Sequence, residues 1–167
     1  VELMAELLRI GSREQWKFFL LGAEPCVSSE LQRCVQNAFP GVRIVGVQHG
    51  YFNRDEEPAI AARIRNSGAD ILLVGMPSPA KEKFILNYRE SMGVPFAMGV
   101  GGGLDILAGK TRRAPLWMQR SGLEWLFRVF QEPRRLAGRY FSTNMRFAGM
   151  LLGEILIGRR IRKEVSC

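Results

Sequence analysis

The sequence is poor in the residues that most often hold metals or crosslink chains: one histidine, His49, and three cysteines, Cys26, Cys34 and Cys167, among 167 residues. The cysteines form no C-x-x-C pair and have no histidine at ligand spacing, so a structural zinc site is not expected. Reduced thiols in a cytosol-like compartment are expected instead. No run reaches the roughly 18 apolar residues that a membrane span needs. The opening VELMAELLRIGSREQ carries Glu2 and Glu6 where a secretory leader would be basic, so a signal peptide is not expected. A G-x-x-x-x-G-K-[ST] loop is also missing, which argues against a P-loop nucleotidase. There is no internal repeat and no low-complexity linker.

What the sequence does have is 47% hydrophobic residues at a length able to bury a core unaided by disulfide or metal. Its net charge of +8 is unevenly placed. Residues 1–108 hold 11 basic and 12 acidic side chains, whereas residues 109–167 hold 13 basic and 4 acidic ones. The excess in the last third suits an anionic partner: substrate phosphates, an acidic membrane surface or nucleic acid. A merely solvated basic face is the alternative.

Short apolar runs alternate with amphipathic stretches through the first 100 residues, the pattern of a parallel sheet with crossover helices. Strands are expected at Lys17 to Leu21, Val42 to Gln48, Ala69 to Gly75 and Phe96 to Val100. Between them, helices are expected from Pro25 and Ser28-Ser29 to about Ala38, from Asp55 to Gly68, and from Ser78-Pro79 to near Gly93. The last third reads as helical, with segments at Leu104 to Ala108, Ser121 to Phe130 and Asn144 to Ile157. The expected architecture is a Rossmann-like α/β core, residues 1–108, followed by a basic helical appendage, residues 109–167.

In such a sheet ligands bind at the carboxyl ends of the strands. Those ends read Gly22-Ala23-Glu24-Pro25, His49-Gly50-Tyr51-Phe52, Gly75-Met76-Pro77 and Gly99-Val100-Gly101-Gly102-Gly103, small enough for close backbone approach. GVGGGLD is not a dinucleotide fingerprint, because the third glycine of G-x-G-x-x-G would fall on Leu104. It either cradles nucleotide phosphates, with Asp105 on ribose or base, or is a tight turn with a capping Asp. His49 is either catalytic or a hydrogen-bonded structural residue. Asp70, at a strand start, is read as structural. Lys81 and Glu82 either face the ligand edge or form a solvated charge pair.

The basic third interleaves arginines with aromatics (Arg112, Arg113, Trp117, Arg120, Trp125, Arg128). Arg128 and Arg135 are seven apart and would share one face of a helix that continued past Pro133, and arginine forks suit phosphate geometry, so a pyrophosphate clamp is an expectation. No DNA- or RNA-module motif accompanies them, so nucleic acid is not the expected partner. Phe147, Met150, Leu151, Ile155 and Leu156 form an apolar face followed by Arg159, Arg160, Arg162 and Lys163. That arrangement suits an anionic bilayer, with packing on the protein's own core as the alternative.

The pieces FLLGAEP, VRIVGVQHGYF, ADILLVGMPSPAKE, GVGGGLDILAGK and RRAPLWMQRSGLEWLFRVFQEPRRLAGRY resemble, in order and wording, the WecG/TagA/CpsF family of bacterial glycosyltransferases, glycosyltransferase family 26, over about residues 1–142. The resemblance implies an inverting hexosyl or N-acetylhexosaminyl transfer from a UDP-sugar to a polyprenyl-diphosphate-linked acceptor. It further implies no required metal or cofactor, a peripheral position on the inner face of the cytoplasmic membrane, and a product such as exopolysaccharide, capsule or teichoic acid. By motif it places donor binding on Tyr51, Lys81, Glu82, Gly101, Gly102 and Asp105, with Arg128, Arg135 and Arg139 near the diphosphate. Lys81 stands where the family usually has Gln. The family's proposed catalytic base lies in an N-terminal segment that this chain is expected to lack, so no residue here takes that role. A truncated, non-catalytic nucleotide-sugar or membrane-binding module is the alternative, and self-association is open.

Overall fold

A computed structural model describes residues 2–111 and 113–131 together with Pro133, Gly138, Met145, Phe147 and Met150. The first element, α1 (Glu2–Arg13), was not foreseen. Met4, Leu8 and Gly11 recur at helical spacing on its buried face, while Glu6 and Arg9 pair at 2.6 Å on the exposed one. Gly11 is required there because any Cβ would run into the Phe18 ring.

Next come β1 (Lys17–Gly22), α2 (Pro25–Ala38) and β2 (Arg43–Gln48). A short 3-10 turn then leads into α3 (Glu57–Ser67), followed by β3 (Ile71–Gly75), α4 (Ala80–Met92), β4 (Phe96–Gly99) and α5 (Gly103–Leu107). Proline enters the first turn of α2 and of α3, where its missing N–H costs nothing. Gly68 and Gly93 end α3 and α4 in the left-handed region that glycine reaches without steric cost. Val42 and Val100, expected in strands, fall just outside them.

All strand pairings are parallel and the sheet order is β2-β1-β3-β4. This is the Rossmann-like α/β class expected from the alternating runs. Alternation along β1 divides the core. Phe18 and Leu20 face Met4 and Leu8 of α1, Leu31 and Val35 of α2, and Leu104 of α5. Phe19 and Leu21 face Ile60 and Ile64 of α3 and Phe84 and Met92 of α4. Both faces of the two central strands are therefore covered, which is why KFFLL and ILLV read as unbroken apolar runs. Each fully buried Leu or Phe contributes about 1.5–3 kcal/mol by leaving water.

The chain divides into two compact units, Val1–Arg112 and Arg113–Cys167. In the second, α7 (Glu124–Gln131) stands where a helix was expected at Ser121 to Phe130, and α6 (Leu116–Arg120) precedes it, unread in the sequence. Gly122 takes a φ of 70° between them, and Pro115 starts α6. Gln119 donates its amide to the Ala114 carbonyl at 2.6 Å. Of the expected helix 144–157 only Met145, Phe147 and Met150 are described, all helical.

Candidate functional site

The chain leaves β1 toward β2 on one side and later returns to place β3 on the other. Sheet order reverses between β1 and β3, and the region beyond the carboxyl ends of two such strands is the usual ligand position in an open α/β sheet.

Glycines floor this region. A Cβ on Gly22, whose φ is 146°, would stand 2.6 Å from the Gly75 Cα. One on Gly50 would stand 3.2 Å from the Gly22 Cα, and one on Gly75 would stand 3.1 Å from the Gly101 carbonyl oxygen. The ends of β1, β2 and β3 and the turn after β4 thus meet backbone to backbone. Two hydrogen bonds fix the meeting: Gly50 N–H donates to the Ala23 carbonyl at 3.1 Å, and Val100 N–H to the Val74 carbonyl at 2.8 Å. The floor presents main-chain groups to whatever lies above it.

Around this floor stand the residues singled out from the sequence. Tyr51 follows Gly50 and is exposed. Lys81 and Glu82 open α4, and the Lys81 stem lies over the Gly99 backbone, where a Cβ would be 2.8 Å from Lys81 Cε. Lys81 Nζ is 3.0 Å from Glu82 Oε1, which also accepts the Ser78 hydroxyl at 2.8 Å. The Ser78 hydroxyl, a backbone hydrogen bond and Lys81 together hold the Glu82 carboxyl below the usual glutamate range. Lys81 is only 21% exposed in its side chain against 52% for Glu82, so the cation lies along the strand end while the carboxylate meets solvent.

Gly101, with φ 52°, and Gly102 form the turn into α5. Asp105 lies half-buried in that helix, and its main-chain carbonyl accepts the Lys110 and Thr111 N–H groups at 3.0 and 3.2 Å. His49 ends up half-buried beside the floor, and its Nδ1 is sealed from solvent with no hydrogen-bond partner among the described residues. Asp70 accepts the Lys17 N–H at 2.8 Å at the opposite end of β1, a bond that ties the start of β3 to its neighbour.

The first unit therefore gathers Tyr51, Lys81, Glu82, Gly101, Gly102 and Asp105 at one edge of one sheet. Arg128 is half-buried on α7 in the second unit. Arg135, Arg139, Arg159, Arg160, Arg162 and Lys163 lie outside the described residues. Two features went unread in the sequence. One is the Ser78 hydroxyl on Glu82; its signal was the i, i+4 spacing. The other is an ion pair of 2.6 Å between Glu24 and Lys110, which no local pattern announces. Among the described residues no group of three His, Cys, Asp or Glu is placed to hold a metal ion, and no helix is long and apolar enough to cross a membrane.

A sequence model described as the glycosyl transferase WecG/TagA/CpsF family matches residues 1–161. The chain belongs to this family. Membership of a glycosyltransferase family implies a nucleotide-sugar donor and an acceptor. In the WecG/TagA/CpsF chain the floor comes from the ends of β1, β2 and β3 and the turn after β4, and the charged flank from α4, so five separate segments of the sequence build one edge.

Proposed function

We propose that the protein transfers a hexosyl or N-acetylhexosaminyl group from a UDP-sugar to a polyprenyl-diphosphate-linked acceptor, with inversion, at the inner face of the cytoplasmic membrane. The product is a cell-surface polysaccharide of the exopolysaccharide, capsule or teichoic acid type. The observation that carries this reading is the convergence of Gly22, Gly50, Gly75 and Gly101 beside the Lys81–Glu82 pair in a chain of a glycosyltransferase family.

In this reaction the acceptor hydroxyl oxygen attacks the anomeric carbon from the face opposite the diphosphate. The bond from that carbon to the diphosphate oxygen breaks, UDP leaves with the electron pair, and the hydroxyl proton passes to a base. Negative charge grows on the leaving diphosphate, so cations and backbone N–H groups fixed beside it lower the barrier. In this account Lys81 supplies such a cation, Glu82 and Ser78 hold it in place, the Gly101-Gly102 turn lets the phosphates approach, Tyr51 borders the sugar, and Asp105 accepts hydrogen bonds from the nucleoside. Arg128, Arg135 and Arg139 add cations near the diphosphate.

Membrane association is supported by composition and exposure in the second unit. Leu116, Trp117, Phe130, Met145, Phe147 and Met150 are all exposed there, in a segment rich in arginine. Large apolar side chains with basic residues around them suit an anionic bilayer surface. The test is a transfer assay with the 167-residue chain, a panel of UDP-sugars and a short polyprenyl-diphosphate-sugar acceptor, with donor binding followed by calorimetry. Turnover is expected, slowed by roughly 10²–10⁴-fold because no residue of this chain takes the general-base role. Donor binding without turnover would assign the chain a non-catalytic binding role, and no binding at all would contradict the donor assignment.

A further inference from the structure

A second ion pair stands at the carboxyl end of β1. Lys110 Nζ lies 2.6 Å from Glu24 Oε1. Glu24 is the N-cap of α2, two residues beyond the end of β1, one of the two strands between which sheet order reverses. Lys110 arrives from the turn after α5, the helix whose other end begins at the Gly101-Gly102 turn beside Gly75. The main chain at Lys110 is pinned by its N–H donating to the Asp105 carbonyl at 3.0 Å.

A diphosphate bound beyond the carboxyl end of β1 would meet two opposed charges. Glu24 repels it and Lys110 attracts it. The pair is about one-third exposed on each side, 34% for Lys110 and 35% for Glu24, so it is neither sealed nor deeply desolvated. An ion pair in that setting holds its partners weakly. A diphosphate offers an ammonium more negative charge and more acceptor oxygens than one carboxylate does. We infer that Lys110 is a ligand for the donor's diphosphate, held by Glu24 until the donor arrives. This inference rests on the nucleotide-sugar reading of the same sheet edge. It differs from a structural strut in one respect: Glu24 competes with the ligand, so removing its charge has the opposite effect from removing Lys110.

The experiment is calorimetric titration of the 167-residue chain with UDP, with uridine and with a short polyprenyl diphosphate, for wild type, Lys110→Met and Glu24→Gln. Thermal melts of each variant are run in parallel. The expected result is UDP binding at least tenfold weaker in Lys110→Met and at least threefold tighter in Glu24→Gln, with uridine binding unchanged. Weaker UDP binding in both variants would show a strut and overturn the inference, as would unchanged UDP binding in Lys110→Met. A loss confined to the polyprenyl diphosphate would assign Lys110 to the acceptor and overturn the donor assignment. Wild-type protein that binds no UDP would contradict the donor reading itself and this inference with it. A folding defect cannot imitate the expected pattern, because misfolding does not tighten UDP binding in Glu24→Gln.

Discussion

The Lys81 side chain lies across the Gly99 backbone, so close that a Cβ at position 99 would come within 2.8 Å of Lys81 Cε and 3.1 Å of its Cδ. Gly99→Ala therefore displaces the cation and not the strand, since the obstructing atoms belong to the outer part of a flexible side chain. We expect donor use to fall about tenfold, the worth of one charge-assisted hydrogen bond. The melting temperature should stay nearly unchanged. Steady-state kinetics beside a thermal melt check both halves.

Gly22→Ala is expected to behave in the opposite way. Its Cβ would meet the Gly75 backbone at 2.6 to 2.8 Å, at a φ of 146° that side chains rarely adopt. Neither backbone can yield cheaply, so the loss should be about 2–4 kcal/mol in denaturant unfolding. Gly101→Ala has nothing within 4 Å and carries only the strain of a φ of 52°, about 1 kcal/mol. A larger loss at Gly101 than at Gly22 would contradict the backbone-to-backbone floor.

Ser78→Ala should raise the Glu82 pKa toward the usual glutamate value, because the Ser78 hydroxyl is the largest cause of its depression. The sign for wild type follows from that depression. Glu82 with its partners contributes stability that is in place above the unfolded-state pKa and is lost as pH falls through the lower folded-state pKa. The pair therefore survives at neutral and mildly acidic pH. Carboxyl NMR titration of the two proteins reads the shift directly, and an unmoved Glu82 would remove the serine from the site.

Replacing Arg159, Arg160, Arg162 and Lys163 by glutamine should release the protein from anionic vesicles. Each basic residue near such a surface contributes about 1 kcal/mol. Arg128→Ala should leave vesicle binding in place and weaken donor use. Co-sedimentation with phosphatidylglycerol vesicles separates the two, and undiminished binding of the four-residue variant would take the tail out of the membrane account.

The central strand was legible because burial on both faces makes KFFLL apolar without alternation, and the glycine at each strand end was legible as room for close approach. The order of the strands was not. Nothing local in LLG or LVG says that Gly22 will lie against Gly75; the crossover through α2, β2 and α3 decides it. Helix α1 went unread although Met4, Leu8 and Gly11 carry the period, because the glycine that breaks helix propensity at position 11 is there to admit the Phe18 ring. The turn at Gly122 starts α7 three residues later than the expected Ser121 and separates it from α6, which went unread. The helix start left Lys81 and Glu82 either at the ligand edge or as a solvated charge pair, and they do pair at 3.0 Å, whereas the Glu24–Lys110 pair joins segments far apart in the chain and needed the fold to be seen.

The measurement that tests the central claim most directly is an amide NMR titration of the protein with UDP. The account predicts shifts concentrated at Gly22, Gly50, Gly75, Gly99 and Gly101, with the side chain of Lys81 moving alongside. Shifts confined to residues beyond Arg113, or none at saturating UDP, would contradict it.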